Sequence, residues 1–596
     1  MLLRILVSTI VLFFVLLSFL IHDNYKNLYK YRDFSYPSSL KRDLIFEALL
    51  DTRSDIYRTF DKFYYNENDE NNINKIFLNI NKKGNLEKAR DNWHDKILLG
   101  DLSKNNYFPS TISFNSTNNI IQKSKFRFRG KSDWHLRIEK PSLRVKLRHY
   151  ENYNMMKHLN LTFPEGRGII ENYYADLISR KIGLIGHYGE LVELYINNLN
   201  YGVYHLHSRD DENLIRLNKR MPGPLLVGQN LNIDKWNIDD FEIKNLESIS
   251  RNRDIFHKMI DEINKPNKSI DDWNTLWKFV NFDQTANHVA LNTILVNLHN
   301  DYWHNHEFFY DRTLGKVEPI INDSLSLGTY VYPRSYERLS FQALMNNERA
   351  NHTIPINQKT NPFFNKIISD TNFYHKKNQV ILSLINDQLS FKNQSKLISN
   401  IYNHIDNAVY RDKHKRYLAQ RLNGPQIVKS SNYEYEIFKK NVFEFIKKRN
   451  LFLKEKLNEN SLLFSFIKLK EFKNQKFIKI QYKGELLLNL EKTFSNEIEI
   501  YKPSIKKFIK LSSEYIKFHT GLTIIKNNDK FTNAKLGKDV FHDHHYIPTY
   551  QTYLIKVGDD FDKNKFKNIL KRKKYINSQE IFVDNQLSIN DINYNT

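Results

Sequence analysis

The sequence predicts an α+β protein with a membrane-anchoring helix at its N-terminus and a small, β-rich, sandwich-like domain appended near its C-terminus. Three observations predict it. Residues 5–21 form an unbroken apolar or hydroxyl run; period-2 strand patterns then mix with helical ones as far as residue 457; beyond residue 458 short alternating strands take over. At 596 residues the chain exceeds a single core and divides into roughly three or four folded units.

The apolar run follows Arg4 and ends in Phe19-Leu20-Ile21-His22-Asp23, without the small residues of a cleavage site. A helix of about 20 apolar residues spans a bilayer, so residues 1–22 read as an uncleaved signal anchor rather than a cleaved signal. Lys26, Lys30 and Arg32 follow directly, and the positive-inside rule applied to them alone would keep the bulk in the cytoplasm. The chain has no cysteine, which is compatible with an oxidising envelope compartment. The expectation is a single-pass protein with its bulk extracytoplasmic. The missing cysteines also exclude a disulfide scaffold, a thiolate zinc site and a Cys nucleophile. The net charge is +23, but the basic residues are scattered through a Lys-, Asn- and Ile-rich composition. They read mainly as solvated lysine, and no basic arm interleaved with aromatics points to nucleic acid as a partner.

Residues 23–75 read as a membrane-proximal spacer: one helical pattern (Leu44, Phe46, Leu49, Leu50), then the acidic, Asn-rich YNENDENNIN. Residues 76–80 read as a strand, 86–99 as a helix, and 107–114 as a second strand whose Pro109 suits only an edge. In residues 125–148, Phe126 and Phe128 alternate with Arg127 and Arg129 up to Gly130, and Leu143, Val145 and Leu147 alternate with Arg144, Lys146 and Arg148. That period places the apolar residues on one face and a row of cations on the other. The basic face either holds phosphates or is simply solvated. The connecting Gly130-Lys131-Ser132-Asp133 offers a single glycine toward a phosphate-covering loop. Residues 169–182 read as an amphipathic helix ended by Gly183, and residues 191–196 and 203–206 as strands around a turn from Asn197 to Gly202. Arg209-Asp210-Asp211-Glu212 reads as a helix start with acids in its first turn.

Residues 298–328 gather His299, Asp301, His304, Asn305, His306 and Asp323 around the aromatic run Phe308-Phe309-Tyr310. A strand, a Thr-Leu-Gly turn and a second strand over 317–321 make a hairpin, a compact way to hold a divalent cation and a reacting hydroxyl together. His299, His304 and His306 also raise a transition-metal site, but no carboxylate stands beside them at a recognised spacing, and hydrogen-bonded histidines are the preferred reading. His542-Asp543-His544-His545 lies in a polar loop and is read the same way. No G-x-S-x-G, H-E-x-x-H or Walker-type loop is present. Residues 361–457 read as largely helical and close a domain that starts at 76. Short strands over 458–560 form the β-rich domain, of a type that often binds polymers or partners, and 561–596 is a charged tail with one helix.

In order along the chain, four of these stretches match landmarks of one family. They are a strand ending in Arg127-Phe128-Arg129-Gly130; the K-x-x-[FY]-R-[IV]-K pattern at Lys140 to Lys146; a Y-I-N-G-x-x-x-G-V-Y turn at Tyr195 to Tyr204; and Asn305 to Tyr310 followed by Glu318-Pro319-Ile320-Ile321-Asn322-Asp323. A closing F-I-x-x-R helix falls at Phe445 to Arg449. The chain thereby resembles the CotH kinase-like family, named for a spore-coat protein, over residues 76–457. The resemblance implies an atypical protein-kinase-like domain that uses ATP and Mg2+, with Mn2+ as an alternative, to phosphorylate a Ser/Thr or other hydroxyl of an envelope protein or polymer. His299-Asn300-Asp301 then resembles a catalytic-loop H-R-D, with Asp301 accepting the hydroxyl proton, Asn305 beside it holding metal, and Asp323 as the Mg2+-bearing acid. Lys140 or Lys146 would hold the phosphates, with Arg129 and Arg144 as alternatives. Four positions depart from the pattern: Leu143 replaces the aromatic, Asn198 the first turn glycine, Ser208 a common Glu, and Leu325 a second Asp. A catalytically degenerate relative acting in envelope assembly or polysaccharide binding is the other reading.

Overall fold

A computed structural model of the chain describes all residues except 1, 33–40, 66–72, 81–83, 100–105, 116–121, 131–132, 149–151, 230, 232–234, 245–248, 267–269, 298–303, 325–326, 328–357, 360, 422–423, 474, 527–529, 534–537, 542–543, 574–575, 583–586 and 595–596. Helix α1 (Leu2–Arg32) carries the apolar run. Its segment Thr9–Lys26 is long and apolar enough to cross a membrane, which makes it a candidate anchor or signal sequence. Val11, Leu12, Phe13, Phe14 and Phe19 are exposed, as a helix that meets lipid requires.

The end of α1 is tied down. Asn24 is buried and its Nδ2 donates to Thr52 Oγ1 (3.1 Å) and Asp55 Oδ2 (3.0 Å) on α2 (Lys41–Arg58). Lys429 Nζ reaches both Asn24 Oδ1 (2.9 Å) and Asp55 Oδ2 (2.7 Å), while Ser54 and Arg53 of α2 bond to the buried Glu434. Where a spacer was expected over 23–75, α2 is therefore docked on the main body. Its polar residues are bonded to partners nearly 400 positions away, Ser54 Oγ to the Lys429 carbonyl and Asp51 Oδ1 to Lys429 N.

Seven strands then close a barrel: β1 (Lys75–Asn79), β2 (Phe108–Phe114), β3 (Gln122–Phe128), β4 (Leu143–Leu147), β5 (His158–Thr162), β6 (Gly189–Ile196) and β7 (Leu199–His207), in the order β1-β2-β3-β4-β5-β7-β6. Helix α3 (Asn85–Leu99) lies against β3. The alternation read from the sequence determines which side faces in. Phe126, Phe128, Leu143, Val145, Leu159, Leu161, Leu194 and Leu206 fill the interior, each side chain contributing about 1.5–3 kcal/mol by burial. β2 is not an edge strand, since it lies between β1 and β3; Pro109 is tolerated because it falls beyond the last pair with β1, Asn79↔Thr111. The β6–β7 turn is tighter than expected. Asn197 (φ 49°) and Asn198 (φ 66°) alone make it, both left-handed as a two-residue hairpin requires.

Within the barrel, α4 (Glu171–Lys181) connects β5 to β6; beyond it, α5 (Glu212–Leu217) leads to an antiparallel sheet of β8 (Leu225–Gln229), β9 (Phe241–Lys244), β10 (His304–Asp311) and β11 (Lys316–Ile320), ordered β11-β10-β8-β9. The helix after β7 starts later than expected: Asp211 is its cap, accepting from Asn213 N at 2.9 Å, and Asp210 stays outside it. α6 (Ile249–Asn264), α7 (Ile270–Phe279) and α8 (Phe282–Leu295) pack with Phe308 and Val317 of the sheet around Trp236. The helices Thr371–Asn386, Phe391–Arg411 and Asn432–Leu457 join α4 and α8 in the largest core. The stretch 361–457, expected to be largely helical, also contains the hairpin Arg416–Arg421 with Gly424–Lys429 that receives α2.

The C-terminal unit is a six-stranded sheet, with Lys476–Lys483 between Gln551–Val557 and Asn460–Ile467. Against its core pack a strand pair, Leu488–Glu491 with Tyr515–Phe518, and the helix Lys563–Arg572, and a separate three-stranded sheet joins Gly521–Lys526, His544–Thr549 and Gln358–Lys359. Much of the expected tail belongs to this unit. Phe566 and Leu570 are buried in its core, and Ile576–Glu580 adds a strand parallel to Asn460–Ile467, because a period-3.6 apolar face needs a partner even in a Lys-rich segment.

Candidate functional site

The outer face of the barrel carries the polar half of each alternation. Arg129 follows β3, Arg144 projects from β4, Asn160 and Thr162 from β5, and His205 and His207 from β7. Arg129 donates to Thr162 Oγ1 and lies 2.9 Å from His207 Nε2. Arg144 Nε donates to Asn160 Oδ1 at 2.7 Å. Burial, together with the neighbouring Arg129, Arg127 and Arg209 charges, pushes the Arg144 guanidinium down to about 9. Burial likewise lowers Arg129, against the opposing pull of Asp210 and Asp323. These two guanidiniums, partly buried and short of counter-charge on their own sheet, face acids supplied from elsewhere.

Asp210 and Asp323 are those acids, and Asp176 and Glu307 are coupled to them in turn. Asp210 follows β7, Asp176 lies on α4, Glu307 is in the middle of β10, and Asp323 stands three residues past β11 with a left-handed backbone (φ 46°). Asn172 Nδ2 on α4 donates to Asp323 Oδ1 at 3.4 Å, and Asn322 Nδ2 donates to Glu307 Oε1 at 2.7 Å. Asp210 is opposed by burial, yet Lys244, His187, Arg144 and Arg129 hold its carboxyl well below the usual range. Glu307 goes the other way: burial, with Asp210 beside it, raises it well above the ordinary carboxylate value. Two carboxylates sharing one desolvated space split in this manner. Asp176 is raised to about 6 by burial, with His187 and Arg180 opposing.

Of the residues expected from sequence, Arg129, Arg144 and Asp323 meet electrostatically at this junction. Asn305 is a buried residue at a bulge in β10, where the pairing with β8 shifts between His304 and His306 and φ reaches 63°. Lys140 is buried elsewhere, on Asp412, and Lys146 is exposed two residues along β4 from Arg144. His306 is a core histidine against Trp236, centroids 5.1 Å apart, with Asn361 Nδ2 3.4 Å from its Nε2. Arg127 lies over the Trp93 ring at 4.2 Å. Asp301, His299, Leu325, Gly328, Lys131, Ser132, His542 and Asp543 lie outside the described residues.

Sequence reasoning missed His187, Lys244 and Glu307, and took Asp210 for a helix-start acid. Glu307 left a signal, an acid inside an otherwise aromatic buried strand; His187 and Lys244 sit in segments without one. Fold and site together define a mixed helix-and-sheet protein in which guanidinium groups of a barrel face carboxylates of the loops after β7 and β11. A family model described as CotH kinase protein matches residues 126–453. That is more than half of the chain, and the protein belongs to this family. No curated protein matches the chain.

Proposed function

We propose that the protein is a membrane-anchored CotH-type phosphotransferase that moves the terminal phosphate of ATP to a hydroxyl of an envelope protein or polymer. The observation that carries the reading is the electrostatic coupling of Arg129 to Asp210 and Asp323, residues that reach one junction from distant parts of the chain. Cations to receive phosphates opposite carboxylates to receive a divalent ion form the charge pattern of a magnesium nucleotide, so the residues present fit that group. In this reading Arg129 and Arg144 receive the phosphates, while Asp323 and Asn305 hold the metal through oxygen atoms. Bound Mg2+–ATP supplies the transferable phosphoryl group and charge neutralisation. Asp301 accepts the proton of the attacking hydroxyl, and the β10 bulge with its left-handed backbone falls at Asn305. The kinase-like domain is taken as 76–457, with the β-rich unit beyond it.

Leu325 in place of a second Asp and Ser208 in place of a Glu support the other reading, a non-catalytic assembly or polysaccharide-binding relative. Ser208 is buried and holds structure, its Oγ accepting from Tyr188 N at 3.2 Å. Detergent-solubilised full chain given labelled ATP and Mg2+ is expected to label itself or an added acceptor, and Asp323→Ala to abolish the label. No label together with no nucleotide-induced thermal shift overturns the enzyme reading. For topology, we take the bulk to be extracytoplasmic. A C-terminal reporter active only outside the cytoplasm should work, and activity of a cytoplasmic reporter instead contradicts this placement.

A further inference from the structure

We infer that His187, Asp210 and Glu307 form a binding site for a first-row transition cation, distinct from the oxygen cluster around Asp323. One ligand atom from each of the three lies within 4.8 Å of the others, a spacing that a single ion draws together. The three come from the loop before β6, the loop after β7 and the middle of β10, so the barrel and the second sheet both contribute.

Two buried atoms point to the missing ligand. Glu307 is 3 % exposed; its Oε1 accepts from Asn322 Nδ2, while Oε2 has no hydrogen-bond partner among the described residues. His187 is also 3 % exposed, and its Nε2 likewise has no hydrogen-bond partner among the described residues. The tautomer follows from the other ring nitrogen. His187 Nδ1 lies 3.1 Å from the Ser208 carbonyl, which can only accept, so Nδ1 carries the proton. Nε2 then presents a lone pair to Asp210 Oδ1 at 3.3 Å. A lone pair facing a carboxylate oxygen inside a protein is unfavourable unless a proton or a metal cation stands between them, and only a metal ion would also engage the nearby Glu307 Oε2. An imidazole oriented by a backbone carbonyl through its second nitrogen is how metal-binding histidines are held. Asp210 divides its oxygens in the same sense, Oδ1 toward His187 and Oδ2 toward Lys244 Nζ at 3.5 Å.

The donor set determines the class of ion. One imidazole nitrogen with two carboxylate oxygens suits Mn2+, Fe2+ or Zn2+, whereas Mg2+ prefers oxygen donors alone. The inference does not depend on phosphotransfer, and its test contains no nucleotide. Full chain in detergent is stripped with a chelator, dialysed against Mn2+ or Zn2+ with Mg2+ in excess, and assayed for metal per chain and for thermal shift. About one transition ion per chain is expected, with affinity lowered about tenfold or more in His187→Ala and in Glu307→Gln. Glu307→Gln keeps the size and the acceptor for Asn322, so it remains informative if His187→Ala does not fold. Asp323→Asn is expected to retain the ion. Unchanged binding in Glu307→Gln, loss confined to Asp323→Asn, or full displacement by Mg2+ overturns the inference.

Discussion

Lys140 Nζ lies 2.6 Å from Asp412 Oδ2, with both side chains 2 % exposed. The carboxylate also accepts from Val203 N at 3.2 Å and from His414 N at 2.7 Å, and a Cβ at Gly202 (φ +79°) would overlap it. The lysine that matches the family's strand pattern thus ties the barrel to the end of the helix Phe391–Arg411. Removing one member of a buried pair leaves the other charge uncompensated, so Lys140→Met is expected to cost about 3–5 kcal/mol in chemical unfolding of the full chain. Nucleotide-induced thermal shift per folded molecule should persist in Lys140→Met and vanish in Arg129→Ala. The reverse pattern would return Lys140 to the phosphate site.

The docking of α2 converges on Glu434. This buried carboxylate caps its own helix by accepting from Ser431 N (2.9 Å), and it also binds Ser54 Oγ (2.8 Å) and Arg53. Glu434→Ala removes the cap and strands a partly buried guanidinium, so a loss of about 2 kcal/mol or more is expected, together with faster proteolysis between α1 and the barrel. Equal proteolysis of variant and parent would show that α2 is held by its apolar contacts alone.

Lys377 is fully buried, and that burial pushes its ammonium down to about 7, with Glu485 opposing. Its folded value lies below its unfolded value of about 10.4. Between these two the unfolded chain binds more protons, so this group contributes stability that rises with pH and is lost as pH falls through about 7. Lys377→Met should flatten the slope of unfolding free energy against pH above neutrality by up to about 1.4 kcal/mol per unit. An unchanged slope would mean the lysine stays charged when folded.

What could be read locally was read well. Phe126, Phe128, Leu143 and Val145 against Arg127, Arg129, Arg144 and Lys146 is a period-2 pattern, and a strand has no choice but to send alternate side chains to opposite faces. The same is true of the hairpin around Gly315 and of the apolar run in α1. Tertiary structure decided the pairings. Five cations, Arg127, Arg129, Arg144, Lys146 and Arg148, shared one face of the hairpin in sequence. Closure of the barrel stacks Arg127 on Trp93 and leaves Lys146 in solvent, while Arg129 meets acids from the loop after β7 and the segment after β11, and Arg144 the first of these. Asp412 took Lys140 through contacts 272 positions apart. Charge and periodicity are properties of neighbours along the chain, whereas the partner of a buried charge is set by which distant segments the cores bring together, and no local pattern carries that information.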